Sequence, residues 1–313
     1  MKTIGKNIFL TMVLIAGSAV SAAAQESAAM SFIDNSLTPR MAAMGGIAAG
    51  LRTDAYAQFG NIAAVPFSDK TLAAGVTYDG LQPSAAGINT GVLGATYRIG
   101  RFGVTLGASM AFNQPYEGVD ENGNALGQFT PVDWNLGAGV SYLITDAFSA
   151  GVGLNYATSI TSPYYRNLNT FYASVQLMYR LKEFSFSLSG NNLGVPVSSL
   201  SGKRFNIPMN AELAVSYSNE WGKHGLEAAV DGKAYFGGPS ALGCAVGAEY
   251  EYDSLLAVRA GYHYGSTRNG LPSFASVGLG AHFFGVNVDV AYLIACGNSP
   301  LRNTFSVGVG YSF

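Results

Sequence analysis

From about residue 70 to its end, the chain is a succession of short runs in which bulky apolar and small or polar residues alternate. The last run, "TFSVGVGYSF", sets Phe305, Val307, Val309, Tyr311 and Phe313 against Thr304, Ser306, Gly308, Gly310 and Ser312. Period-2 alternation puts two such sets on opposite faces of a β-strand. Fourteen runs read this way, near 71–79, 90–99, 102–112, 133–143, 148–158, 170–181, 184–191, 208–218, 225–236, 243–252, 255–264, 274–283, 286–294 and 304–313. Most hold about ten residues, the length of a tilted strand that crosses a bilayer, and their even number suits a closed antiparallel ring.

Alternation alone does not separate a membrane barrel from a soluble sandwich. The distribution of charge and of aromatic rings does. In the run 225–236, Glu227, Asp231 and Lys233 oppose Leu226, Ala228, Val230, Ala234 and Phe236. No run carries a charge on its apolar parity. Rings recur near the ends of that parity, as at Tyr78, Phe102, Trp134, Tyr142, Phe171, Tyr217, Tyr252 and Tyr292. Two belts of rings with Ala, Val and Leu between them suit the two lipid–water interfaces, whereas a core buries its largest rings centrally. With 40 Gly, 18 Tyr, 18 Phe and only 12% charged residues, the composition fits an exterior that meets hydrocarbon.

Every second connection is tight, as in "GR", "KE", "DS" and "FG", while the others are longer, such as 113–132 and 192–207. Short turns on one side and longer loops on the other is the outer-membrane pattern, and it places both ends of the mature chain on the short-turn, periplasmic side. The first 24 residues read as a secretory signal, with Lys2 and Lys6, an apolar run too short to span a bilayer, and cleavage between Ala24 and Gln25. Losing those lysines takes the net charge from -2 to -4, with no basic block that would suit nucleic acid. Cys244 and Cys296 fall on non-adjacent strands and are read as small apolar side chains, not as a disulfide.

The expected fold class is therefore all-β, a 14-stranded antiparallel transmembrane β-barrel. A ring that wide is not filled by its own side chains. Residues 25–68, which show no strand series, are expected to form an N-terminal plug in the lumen, ahead of a barrel over 69–313; a periplasmic tail or a surface helix are the alternatives.

The run "MGGIAAGLRTDAYAQFGNIAAV" resembles the N-terminal segment of the FadL-like outer-membrane proteins, especially their PorV/PorQ branch. Gly45, Gly46, Asp54, Ala55, Asn61 and Ala63 stand where that pattern expects them, with Ile62 in place of a proline. The stretch "VDENGNALGQFTPVDWNLGAGVSYLITDAFSAGVGLNY" resembles the same branch, so the likeness spans roughly residues 38–158. It implies a barrel with an N-terminal hatch, placed by the outer-membrane assembly machinery, with Tyr311 and Phe313 in the terminal insertion signal. The PorV/PorQ likeness implies assistance to type IX secretion, with exported proteins received at the outer surface and passed to partner subunits. The wider FadL-like likeness implies uptake of a hydrophobic ligand past the hatch, and a structural or poorly selective pore is the third alternative.

Inward-facing ionisable residues include Asp79, Arg98, Asp133, Arg180, Glu212, Glu227, Asp231, Lys233, Glu249, Glu251, Arg259 and Asp289. They are read as a selective path or, more simply, as a polar network between plug and wall, with Arg40 or Arg52 as partners. Catalysis is not expected. His263 and His282 fall at opposite ends of their strands, about 20 Å or more apart. No GxSxG elbow and no Cys/His pair with zinc spacing occurs, and the glycine runs lie inside strands, so no cofactor is expected.

Overall fold

A computed structural model describes residues 29–34, 38–81, 87–119, 124–164, 166–198, 202–236, 241–265, 272–295 and 301–313. The signal segment with Ala24 and Gln25, and Cys296, lie outside the described residues.

In chain order the strands are β1 (Leu72–Leu81), β2 (Ile88–Ile99), β3 (Phe102–Phe112), β4 (Tyr116–Val119), β5 (Ala125–Phe129) and β6 (Val132–Thr145). Next come β7 (Phe148–Ile160), β8 (Leu168–Leu181), β9 (Phe184–Gly194), β10 (Val197–Ser198), β11 (Arg204–Phe205) and β12 (Asn210–Trp221). The last six are β13 (His224–Tyr235), β14 (Ala241–Tyr252), β15 (Leu256–Tyr264), β16 (Phe274–Phe283), β17 (Val286–Ala295) and β18 (Phe305–Ser312). Fourteen of them close into one barrel, and β18 pairs antiparallel with β1 from Ala73↔Ser312 to Gly80↔Phe305. The backbone N–H groups of Thr71 and Leu72 donate to Phe313 O at 2.6 and 3.1 Å, so the last carbonyl helps seal the seam. A closed ring leaves no edge whose N–H and C=O groups would lie unpaired in lipid.

The alternation decides the faces. Leu154, Phe171, Val140 and Leu242 are well exposed on the outside, while Ser149, Thr105, Ser187 and Gln176 on the other parity are buried inside. Every Asp, Glu, Lys and Arg on the barrel strands takes the inward parity. Outward rings meet one another near both rims, as in Phe102–Tyr142 and Phe184–Tyr217 at the short-turn end and Trp134–Tyr156–Phe171 at the long-loop end. Cys244 is exposed on β14.

The long connections hold structure that alternation did not reveal: β4 pairs with β5 as a separate hairpin, and β10 with β11. The β8–β9 register shifts between Ala173 and Val175, where Asn191 and Asn192 stand against one residue and Asn192 takes a φ of 56°. This bulge re-aims the end of β9.

Residues 38–68 run inside the ring. The five-residue helix α1 (Pro39–Ala43) packs on β15 to β18, and the 3-10 segment Ile62–Phe67 packs on β2, β3, β6, β7 and β8. The close approach is made by glycines of the wall. A Cβ on Gly261 would collide with the backbone of Met44 and Gly45, one on Gly247 would lie 2.6 Å from Met44 O, and one on Gly94 2.5 Å from Ala55 O. Before this stretch, the 3-10 turn Ser31–Asp34 lies at the long-loop end, where Ala29 N–H donates to Asn206 O at 2.9 Å. The first described residues thus lie at the opposite end from Phe313. The physical reason is that the segment crosses the lumen once before β1 begins, which adds a pass that counting strands omits.

Candidate functional site

The candidate site is the lumen itself, where the inner segment meets the wall in three polar layers. Nearest the short turns are two arginines of the segment. Arg40 donates from Nη2 to Glu227 Oε2 at 2.5 Å and to Glu249 Oε1 at 3.1 Å, and from Nε to Glu249 Oε2 at 2.9 Å. Its Nη1 donates to Arg52 O at 2.7 Å. Arg52 bonds Glu227 through its backbone N–H and its Nε at 2.8 and 3.0 Å. Its Nη2 reaches Glu249 at 3.2 Å and Glu251 at 3.3 Å, and its Nη1 reaches Glu220 at 3.2 Å. On the wall, Arg259 bonds Glu249 and, at 2.5 Å, Asp289.

Buried charges persist only when partnered in this way. Burial opposes the charge on Arg40, but Glu249 and Glu227 outweigh it and hold the guanidinium well above its ordinary range. Burial raises the Asp54 carboxyl, with Arg40 working the other way. A cavity of about 280 Å³ adjoins this layer, lined by Asp54, Tyr56, Phe67, Arg180 and His282 among others.

The middle layer is neutral. Asn61 caps the 3-10 segment, its Oδ1 accepting from Ala63 N–H at 3.0 Å while its Nδ2 donates to Ala49 O at 2.5 Å and Ser187 Oγ at 3.0 Å. Ile62 N–H donates to Gln176 Oε1 at 2.6 Å, a bond that the proline of the family pattern would lack. Ser149 Oγ donates to Ala63 O, and Gln58 Nε2 donates to Asn155 Oδ1 at 3.0 Å. Gly45 and Gly46, at φ of 77° and 82°, turn the chain out of α1, with Gly46 N–H donating to Met41 O at 2.8 Å. Asp54 accepts from Tyr56 N–H at 2.8 Å, and Ala55 sits against Gly94.

Toward the long loops lies the third layer. Asn192 Nδ2 and Asn210 Nδ2 donate to Asp34 Oδ1 at 3.2 and 3.1 Å, and Tyr235 OH donates to Asp34 Oδ2 at 2.7 Å. Lys233 Nζ stands 4.0 Å from Asp34 and 3.9 Å from Glu212, which also accepts from Asn191 Nδ2 at 3.0 Å. Burial raises the Asp34 carboxyl. A smaller cavity of about 60 Å³ opens here. Outside it, Met30 and Ile33 pack with Tyr172, Val197 and Ile207 into an apolar cluster.

The residues grouped in the sequence as one lumen cluster thus divide. Glu227, Glu249, Glu251, Arg259 and Asp289 meet near the short turns, whereas Glu212, Asp231 and Lys233 lie near the long loops. Six residues of β13 separate Glu227 from Lys233, about 20 Å along the strand. Arg180 joins neither group: its Nη1 donates to Phe67 O at 3.3 Å and it stacks on the Phe67 ring. Arg98 stands apart at the short-turn end of β2, its Nε without a hydrogen-bond partner among the described residues. Tyr311 and Phe313 face outward and pack on each other, with ring centroids 5.9 Å apart. Asp34, Asn191, Asn192, Asn210 and Tyr235 escaped the sequence reading. The Asn191-Asn192 pair, next to Gly190 in a run otherwise alternating Ser with apolar residues, was the available signal.

His263 stacks on Phe274 at the long-loop end, His282 lies 3.8 Å from Glu251 at the other, and His224 faces outward against Tyr250. Among the described residues no group of three or more His, Cys, Asp or Glu is placed to hold a metal ion.

No protein-family model and no curated protein matches the sequence. Solved structures do. The toluene transporter TbuX of Ralstonia pickettii superposes with a TM-score of 0.60 at 13% identity, covering 88% of this chain and 97% of that one. The toluene transporter TodX of Pseudomonas putida gives 0.60 at 14% identity, over 87% and 96%. A FadL homologue of Pseudomonas aeruginosa gives 0.56 at 15% identity, over 93% and 100%. At such identities the likeness is one of architecture, and the architecture is the closed 14-stranded barrel of FadL-like proteins.

Proposed function

We propose that the protein is an outer-membrane channel through which small hydrophobic molecules enter, with residues 38–68 as its hatch. The observation that carries this is how the lumen is filled: side-chain bonds and glycine contacts hold the inner segment, and no strand of it joins the sheet. Such a segment can shift while the wall stays paired. The apolar cluster at the long-loop end supports an apolar entrance, and the structural likeness to hydrocarbon transporters supports the solute class. Tyr311 and Phe313 serve the assembly machinery as the insertion signal in this reading, and the signal segment directs the chain to the outer membrane, with Phe313 at the periplasmic end.

The test is uptake of a radiolabelled monoaromatic hydrocarbon by Gram-negative cells whose own hydrocarbon channels are deleted. Expression of the protein is expected to raise the initial rate severalfold. A rate equal to that of cells carrying an empty vector overturns the proposal.

A second reading, of PorV/PorQ type, has the barrel contact exported proteins and secretion subunits at the outer surface. The exposed β4–β5 hairpin favours it, with Val119 and Leu126 turned to solvent. Recovery of exported proteins and secretion subunits on the intact barrel, lost when the hairpin is replaced by a short turn, would establish that reading.

A further inference from the structure

Among the described residues, the lipid-facing parity of the barrel strands carries no Asp, Glu, Lys or Arg, and it carries one histidine. This is His224, the first residue of β13, on the short-turn rim. Lipid–water interfaces favour rings that are apolar at one end and polar at the other, and three of them surround this imidazole. Trp221, directly opposite on β12, stacks on it with ring centroids 6.0 Å apart and planes at 21°. Tyr252, opposite on β14, meets it edge-on at 5.6 Å. The Tyr250 hydroxyl lies 2.6 Å from Nδ1. With that hydroxyl donating to Nδ1, Nε2 carries the proton and is the ring's remaining donor. Trp221, Tyr250 and Tyr252 are all exposed.

The turns beside this cluster carry both signs of charge. Lys223 Nζ donates to Asp253 Oδ2 at 2.7 Å, and Asp253 N–H donates to Lys223 O at 2.6 Å, so the β12–β13 and β14–β15 turns are joined. An ammonium has three N–H donors and a carboxylate two oxygens, so each member of the pair keeps bonding capacity for a third group. The pair Arg101–Asp146 on the same rim differs. Arg101 donates to Asp146 at 2.7 Å and also to the carbonyls of Leu143 and Ile144 at 3.3 and 3.4 Å, which ties the guanidinium to the turn it faces. The ring pair beside it is Phe102–Tyr142, which offers no imidazole or indole N–H.

A barrel closed within a bilayer has lipid against this rim, so its occupant is a lipid head group. A phosphodiester can accept from His224 Nε2, the Trp221 indole N–H and Lys223 Nζ. An ammonium on the same head group can donate to Asp253 and lie on the faces of Trp221 and Tyr252. An anionic head group without that ammonium would meet Asp253 with nothing to offer it. We propose that the rim formed by Trp221, Lys223, His224, Tyr252 and Asp253 binds the phosphate–ammonium head of a zwitterionic phospholipid in preference to an anionic one. The inference concerns the lipid-facing side and goes beyond the channel reading, which concerns the lumen.

Native mass spectrometry tests it on the full-length protein released from nanodiscs made of equal parts phosphatidylethanolamine and phosphatidylglycerol. Lipid retained on the barrel is expected to be enriched in phosphatidylethanolamine by roughly threefold or more. Lys223→Gln combined with His224→Leu is expected to return the retained lipid to the bulk ratio. A second measurement needs no variant. Phosphatidylethanolamine with a photoactivatable group near the glycerol end of one acyl chain is expected to crosslink to peptides holding Trp221–His224 and Tyr252–Asp253 in excess over those holding Arg101 and Asp146. The phosphatidylglycerol counterpart is expected to show no such bias. Retention at the bulk ratio on wild-type protein, an enrichment that survives the double change, or an even spread of phosphatidylethanolamine crosslinks overturns the inference. Each of these outcomes leaves uptake through the lumen standing.

Discussion

Glu227 and Glu249 stand directly opposite each other on β13 and β14, both buried, and the Arg40 guanidinium bridges them. Two like charges at a cross-strand position repel. The wall is thus built with an anionic pair that Arg40 and Arg52 of the inner segment neutralise together with Arg259 of the wall.

Removing that bridge should loosen the segment. Arg40→Gln leaves two buried carboxylates short of a partner and is expected to destabilise the protein by roughly 3 kcal/mol or more. The segment should become more accessible to protease, and single-channel conductance should rise. Adding Glu227→Gln and Glu249→Gln to the same chain removes the repulsion and should recover much of the loss. Urea unfolding in micelles and planar-bilayer recordings measure both effects, and unchanged protease sensitivity in Arg40→Gln would contradict the bridge.

Glycine placement makes a second prediction. Any side chain at Gly261 strikes the backbone of Met44 and Gly45, so Gly261→Val should displace the segment and raise conductance. At Gly232, on the lipid-facing side of β13, a Cβ meets nothing within 4 Å, and Gly232→Val should assemble and conduct like wild type. Both variants can be read in one bilayer assay.

The face assignment is testable at two positions. Val140 is exposed near the middle of β6, and Val140→Lys should cost roughly 2–4 kcal/mol in a folding titration into lipid vesicles. Asn287 faces the 280 Å³ cavity on β17, close to Asp289, and Asn287→Lys should shift stability by less than about 1 kcal/mol. Equal costs would contradict the assignment.

Phe313 carries two separable contributions, its ring and its carbonyl. Phe313→Ala keeps the carbonyl that accepts from Thr71 and Leu72, whereas deleting the residue removes it. If the ring is the insertion signal, both changes should lower the amount of protein in outer-membrane fractions severalfold. A loss confined to the deletion would assign the effect to the seam, not the ring.

The strand count, the strand limits to within a few residues and the face of every wall charge followed from the sequence alone. A strand has a fixed period of two, and a membrane tolerates charge on only one parity, so local pattern suffices. That residues 25–68 enter the lumen was an expectation of the sequence, but their path through it was not. Residues 38–68 have no period, and their path is set by contacts with wall residues more than 100 positions away, such as Arg40 with Glu249 and Asn61 with Ser187. Spacing along β13 separates Glu227 from Lys233, but only the register between strands decided which charges stand side by side, Glu227 with Glu249 and Glu212 with Lys233. Tertiary structure alone brought Asp34, Asn191, Asn192 and Glu212 to one cavity, since a bulge in β9 turns an asparagine pair inward where unbroken alternation would separate them.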